Sequence, residues 1–368
     1  MPHLAPGPDG SAVLSWLEPD GGGHRLRFAR LVDDQWREAT TVARGADWFV
    51  NWADFPSVEP IAGNRWAAHW LVKRPGGTYA YDVAIALSED RGATWSPALT
   101  PHTDGTATEH GFVSLYPDGD TVGALWLDGR EMTGHGGHAD HGEGAMTLRS
   151  VRIDEGNALQ DGGVVDARVC DCCQTDVAVS AAGLIAVYRN RTEDEVRDTY
   201  IARQVDGQWL PGVAVADDNW TIDGCPVNGP AVATRGEAVA VAWYTQGDDR
   251  ARVQVALSRD AGASFAAPVV IDANDPVGRV DVAWLEDGST VTSWIARGER
   301  GVGTVMARAL RPNGTLADAH AIAGTDVARR SGFPQMLHYG TGLLFAWTDL
   351  ADDTQRVRAT WVDGDALR

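Results

Sequence analysis

Seven times along the chain, a turn leads into alternating apolar residues that end on an aromatic. The runs read AVLSW at Trp16, WAAHW at Trp70, VGALW at Trp126, LIAVY at Tyr188, VAVAW at Trp243, TVTSW at Trp294 and LLFAW at Trp347, spaced by 54, 56, 62, 55, 51 and 53 residues. Period-two alternation bounded by Gly, Pro and Asp predicts strands, and no long run has helical periodicity. Each unit adds an apolar segment upstream, such as FVSLYPDG, and an alternating one downstream, such as RLRFARLV. A fourth short strand usually follows. Units of this kind at roughly 50-residue spacing predict an all-β chain, a β-propeller of four-stranded blades, seven-bladed with six blades as the alternative. Residues 1–368 then form one domain, and the N-terminal segment is expected to lend a fourth strand to the last unit, Gly332 to Arg368.

Charge narrows the function. The chain carries 31 Lys+Arg against 51 Asp+Glu, a net −20, with no basic run to seek phosphate backbones. Nucleic acid is therefore excluded as a partner, and no apolar stretch reaches the roughly 20 residues of a membrane span. Lys73 is the one lysine, so lysine chemistry has a single candidate, better read as a surface residue. The sequence shows no signal peptide, which leaves a cytosolic protein or an exported one without its leader. No G-x-S-x-G, phosphate loop, dinucleotide fingerprint or haem-attachment motif occurs.

Two turns carry a family signature. Ser88-Glu-Asp90-Arg-Gly92-Ala-Thr94-Trp95 and Ser258-Arg-Asp260-Ala-Gly262-Ala-Ser264-Phe265 resemble the Asp-box of sialidase-like (BNR-repeat) propellers. The combination Cys-Asp-Cys-Cys-Gln-Thr with Cys-Pro-Val-Asn-Gly-Pro is similar to an uncharacterised bacterial group of that kind. The resemblance implies a propeller whose Asp-boxes lie on the face opposite the active site. It also implies an arginine triad for a carboxylate, an Asp acid/base and a Tyr nucleophile paired with a Glu. The Arg-Ile-Pro type tripeptide of that triad is absent; Arg130, Arg189, Arg279 and Arg330 are the arginines expected to reach the central mouth.

Candidate chemistry gathers in units 3 to 5. All four cysteines, Cys170, Cys172, Cys173 and Cys225, enter two adjacent units, and His110, His135, His138 and His141 belong to the unit before. Thiolates with imidazoles suit copper, with zinc as the alternative; paired disulfides are the competing reading. The leading expectation is an exported, periplasmic or secreted, sialidase-like propeller that binds copper on one rim for redox catalysis or metal handling. The first alternative is an exo-sialidase-like glycoside hydrolase for an acidic sugar, with Arg130 and Arg189 as clamps and Glu195 or Asp128 as acid/base. The second is a non-catalytic binding propeller with structural disulfides. A small molecule, metal or glycan is expected at the central mouth, where Trp48, Trp52 and Trp220 are placed to stack on a flat ligand.

Overall fold

The computed structural model describes residues 1–132, 144–350 and 354–368. Seven antiparallel sheets follow one another along the chain, so the fold is a seven-bladed β-propeller, all-β apart from short 3-10 turns. The alternation in the sequence is the cause: period-two patterning buries one side chain in two and the next blade covers the other face. The aromatic ending each run supplies much of that cover. Trp70, Trp126, Tyr188, Trp243 and Trp294 are buried, each contributing about 1.5–3 kcal/mol. The indole N–H groups are satisfied locally: Trp126 Nε1 donates to Asp128 at 2.8 Å, and Trp294 Nε1 to Asp272 at 2.7 Å.

The described chain falls into two compact units. The first, His3–Cys172, holds three sheets. One runs from the strand Pro2–Pro6 to Thr40–Gly45, one comprises Ser57–Ala62, Arg65–Lys73 and Tyr81–Ser88, and one extends from His110–Asp118 to Leu159–Val169. Its apolar cores join Phe28, Trp66 and Trp70 on one side and Phe49, Tyr81 and Trp126 on the other. The second unit, Cys173–Arg368 with Met1–Pro2, holds four sheets, whose cores centre on Trp243, Trp294 and Phe345.

One expectation is corrected. The strand Pro2–Pro6 pairs with Ala12–Asp20 and completes the first sheet, while the last sheet, Gln335–Tyr339, Gly342–Asp349 and Arg356–Asp363, has three strands among the described residues. The segment HLAPGPDG already fills the first-strand role in its own unit, so it is not spare.

The two turns that resemble Asp-boxes sit after the third strand of their sheets. Ser88 Oγ accepts from Gly92 N–H at 2.8 Å, and Asp90 accepts from Thr94 N–H at 2.8 Å and Thr94 Oγ1 at 2.6 Å. Ser258, Asp260, Gly262 and Ser264 repeat the pattern. Hydrogen bonds from Ser264 and Ser258 lower the Asp260 carboxyl to about 2. The polar groups of these turns bond chiefly to one another.

Candidate functional site

The connections between sheets and the turns between second and third strands emerge at one end of the strands, and titratable groups collect there in the unit His3–Cys172. The first group is built on Tyr81, at the start of its strand. Its ring stacks on Phe49 with centroids 4.0 Å apart, which fixes the phenol. Tyr81 Oη lies 2.9 Å from Asp54 Oδ2 and 2.6 Å from Glu109 Oε1. One phenolic proton cannot serve two carboxylates. Tyr81 therefore donates to one, and the other contact requires a proton on the carboxyl itself.

Asp54 is the acid that keeps this proton. It is fully buried, and burial pushes its carboxyl up to about 7 against the opposing hydrogen bonds from Phe112 N–H and Tyr81. Phe112 N–H reaches Asp54 Oδ1 at 2.9 Å from a left-handed backbone (φ 53°), uncommon for a bulky residue. Gly111 makes the approach possible, since a Cβ there would lie 2.1 Å from Asp54 Oδ2 and 2.7 Å from the Tyr81 ring. Glu109 is half-buried and forms the outer end of the chain Asp54–Tyr81–Glu109.

The second group starts one residue later. His110 and His102 stack with ring centroids 3.8 Å apart, nearly parallel. His110 Nδ1 lies 3.2 Å from the Tyr81 carbonyl, which can only accept, so the Nδ1 proton is fixed there. His110 Nε2 then faces Asp104 Oδ2 at 3.3 Å and Asp128 Oδ1 at 3.7 Å. Val83 N–H donates to His102 Nε2 at 3.4 Å, and His102 Nδ1 lies 3.2 Å from Asp104 Oδ2. Burial, then the neighbouring His110, lowers His102 to about 4, so His102 is neutral. Burial would raise Asp104, but hydrogen bonds from Thr106 with the nearby His110 and Arg130 outweigh it and hold the carboxylate ionised.

Several sequence expectations change here. Asp128 is buried and accepts from Arg130 Nε at 2.8 Å and Nη2 at 2.6 Å, which outweighs burial and keeps it ionised. It cannot supply a proton at neutral pH, and Arg130 is already engaged. Arg189, in the other unit, is no carboxylate clamp. It donates to the backbone carbonyls of Asn228, Arg197 and Tyr244 at 2.6–3.1 Å and stacks over Trp220 at 4.8 Å. Arg279 likewise donates to Ser331 Oγ and to the carbonyls of Ala328 and Gly332. Arg330 pairs with Asp326 at 3.2 Å. Glu195 is bonded by Arg191 and Arg197, both at 2.7 Å, and held at about 2 although burial opposes this, so it is no proton donor. Trp48 stacks inside the core on Trp70 at 5.4 Å, and Trp220 is buried, so neither offers a ligand platform; Trp52 is only partly buried.

Cys170 and Cys172 are buried with their sulfurs 3.7 Å apart, far beyond the roughly 2.05 Å of a disulfide. In the other unit, Cys173 Sγ accepts from Asn228 N–H at 3.4 Å, and Cys225 is half-buried. Among the described residues no cluster of three potential ligands combines cysteine with histidine: His110 keeps company with Asp82, His102, Asp104 and Asp128. His135, His138 and His141 lie outside the described residues. Asp54, Tyr81, His102 and Asp104 were missed by sequence reasoning; the one legible signal was the density of His and Asp in PHTDGTATEH, immediately before a first strand.

No family model matches the chain, and no curated protein matches it. Solved structures do. A protein of unknown function from Dyadobacter fermentans aligns at TM-score 0.57 and 12% identity, covering 98% of this chain and 93% of its own. The polysaccharide lyase Uly1 aligns at 0.55 and 8%, covering 96% and 88%. An α-L-arabinofuranosidase of Fusarium graminearum aligns at 0.51 and 14%, covering 85% and 94%. At these identities the likeness is one of fold.

Proposed function

We propose that this propeller is a glycoside hydrolase, with its acid/base chemistry at Asp54, Tyr81 and Glu109. The observation that carries the reading is a single phenol hydrogen-bonded between two carboxyls, one fully buried and one half-exposed. Two carboxyls in opposed environments are the pattern acid/base catalysis uses. In the proposed step a proton passes from Asp54 through Tyr81 to Glu109 and on to the glycosidic oxygen as its bond to the anomeric carbon breaks. A water molecule adds to that carbon, and the proton it sheds returns along Glu109 and Tyr81 to Asp54. Fold likeness to a glycosidase and a lyase supports the class and no particular substrate.

Both proposed carboxylate clamps, Arg130 and Arg189, are committed to internal partners, and the chain is strongly acidic. We therefore propose a neutral sugar in place of the acidic one. The test is release of new reducing ends from a panel of neutral and acidic glycans, with sialosides included. Cleavage of neutral glycosides is expected; silence across the panel would sink the reading.

A second reading keeps the metal expectation for the thiols. A sulfur separation of 3.7 Å at Cys170 and Cys172 is one that thiolates on copper(I) or zinc also adopt. Elemental analysis of untagged protein tests it: stoichiometric copper or zinc that disappears in Cys170→Ser supports the reading, and metal-free protein counts against it. An extracytoplasmic location belongs to the same proposal. No helix among the described residues is long and apolar enough to cross a membrane.

A further inference from the structure

We propose that His110, Asp104 and Asp128 form a binding site for a divalent first-row metal ion, separate from the cysteines. The three ligand atoms Nε2, Oδ2 and Oδ1 all lie within 4.8 Å of one another. Ligands bound at about 2.0–2.2 Å sit about 2.9–3.6 Å apart around one ion. The His110–Asp104 separation of 3.3 Å falls in that interval, and 3.7 Å to Asp128 lies just beyond it. An imidazole with two carboxylates selects zinc, manganese or iron(II) over copper(I).

The direction of the lone pairs is the second observation. With its Nδ1 proton directed at the Tyr81 carbonyl, His110 turns the lone pair of Nε2 toward two carboxylates. His110 is completely buried, and among the described residues neither its Nε2 nor Asp104 Oδ2 has a hydrogen-bond partner. Two buried acceptors facing each other repel unless a cation lies between them. The neighbouring triad Asp82–His102–His110 lacks this property. There His102 Nε2 accepts from Val83 N–H, His110 Nδ1 is spent on Tyr81, and Asp82 faces Arg74 at 3.3 Å.

The surrounding residues are arranged as around a ligated ion. The second nitrogen of His110 bonds a backbone carbonyl, and Asp104 is steered by Thr106 N–H at 2.9 Å and by the Thr106 hydroxyl. Asp128 is steered by Trp126 and Arg130. Such partners orient metal ligands and fix the imidazole tautomer. The charges leave room for a cation: among the described residues Asp104 and Asp128 face a single guanidinium, that of Arg130, whose Nη2 is 3.4 Å from Asp104. The competing occupant is a proton on His110.

The experiment is metal titration of the chelator-treated full chain, followed by native mass spectrometry and calorimetry with Zn²⁺ and Mn²⁺, and by the electronic spectrum with Co²⁺. One equivalent is expected to bind and to be lost, or weakened about 100-fold, in both His110→Gln and Asp104→Asn, each checked for folding by circular dichroism. The wild-type Co²⁺ spectrum, which needs no variant, is expected to contain a component without thiolate charge transfer that persists in Cys170→Ser. No binding at saturating Zn²⁺ or Mn²⁺ assigns the gap to a proton and overturns the proposal. So does unchanged stoichiometry in folded His110→Gln and Asp104→Asn, or a Co²⁺ spectrum that is purely thiolate. None of these readouts involves glycan cleavage, so the hydrolase reading stands or falls separately.

Discussion

At the scale of single residues, Asp54 carries the most information. Unfolded, its carboxyl ionises near the ordinary 3.8; folded, it keeps its proton to about 7. The contribution of the neutral acid to stability is therefore complete below about pH 4 and is lost as pH rises toward 7. Asn in its place accepts from Phe112 N–H and donates to Tyr81 as the protonated acid does, with nothing to ionise. The midpoint of wild-type thermal unfolding is expected to fall on the order of 5 °C relative to Asp54→Asn between about pH 4 and 8. Differential scanning calorimetry across that range checks it, and parallel profiles would show that Asp54 ionises normally. None of this was visible in the sequence. Asp54 sits in the unpatterned stretch NWADFP, and its partner Glu109 is distant in the chain. What joins them is Tyr81, which as a sequence position reads only as a buried strand aromatic.

At the scale of elements, the strand pattern was legible because each run of alternation closes on its own aromatic within one blade. The connections were not, because their side chains answer to neighbours some fifty residues away. Arg189 directly follows the repeat aromatic Tyr188 and looked available to a substrate. Its donors instead hold the carbonyls of Asn228 and Tyr244 in the following sheet and its entry. Asn228 continues the link by accepting from Arg279 N–H at 2.7 Å, and Arg279 grips the next connection. Buried arginines here are fasteners between successive sheets. Arg189→Met leaves three buried carbonyls without this donor and should cost about 3 kcal/mol or more. Arg189→Lys should recover only part, since one ammonium lacks the planar fork. Urea unfolding of the full chain measures both; a loss below about 1 kcal/mol in Arg189→Met would contradict the fastener role.

At the scale of the molecule, blade number was readable from spacing alone, since a seven-fold repeat of closed sheets leaves little freedom in architecture. Function was not, because the same fold hosts a lyase and a glycosidase at identities of 8% and 14%. The sequence puts the candidate chemistry in units 3 to 5. His110 and Asp128 do belong to a buried cluster, but their partners come from Tyr81, Asp82, His102 and Asp104, ahead of the cysteines. The net charge of −20 adds a long-range term that disfavours polyanionic substrates and agrees with internally committed arginines. The most direct test of the hydrolase reading is kcat/KM for a cleaved neutral glycoside, measured across pH for wild type and Asp54→Asn. A loss of about 10²- to 10⁴-fold is expected in the variant, with wild-type activity declining above about pH 7 as the Asp54 proton is lost. Equal activity of the two proteins at every pH would contradict it.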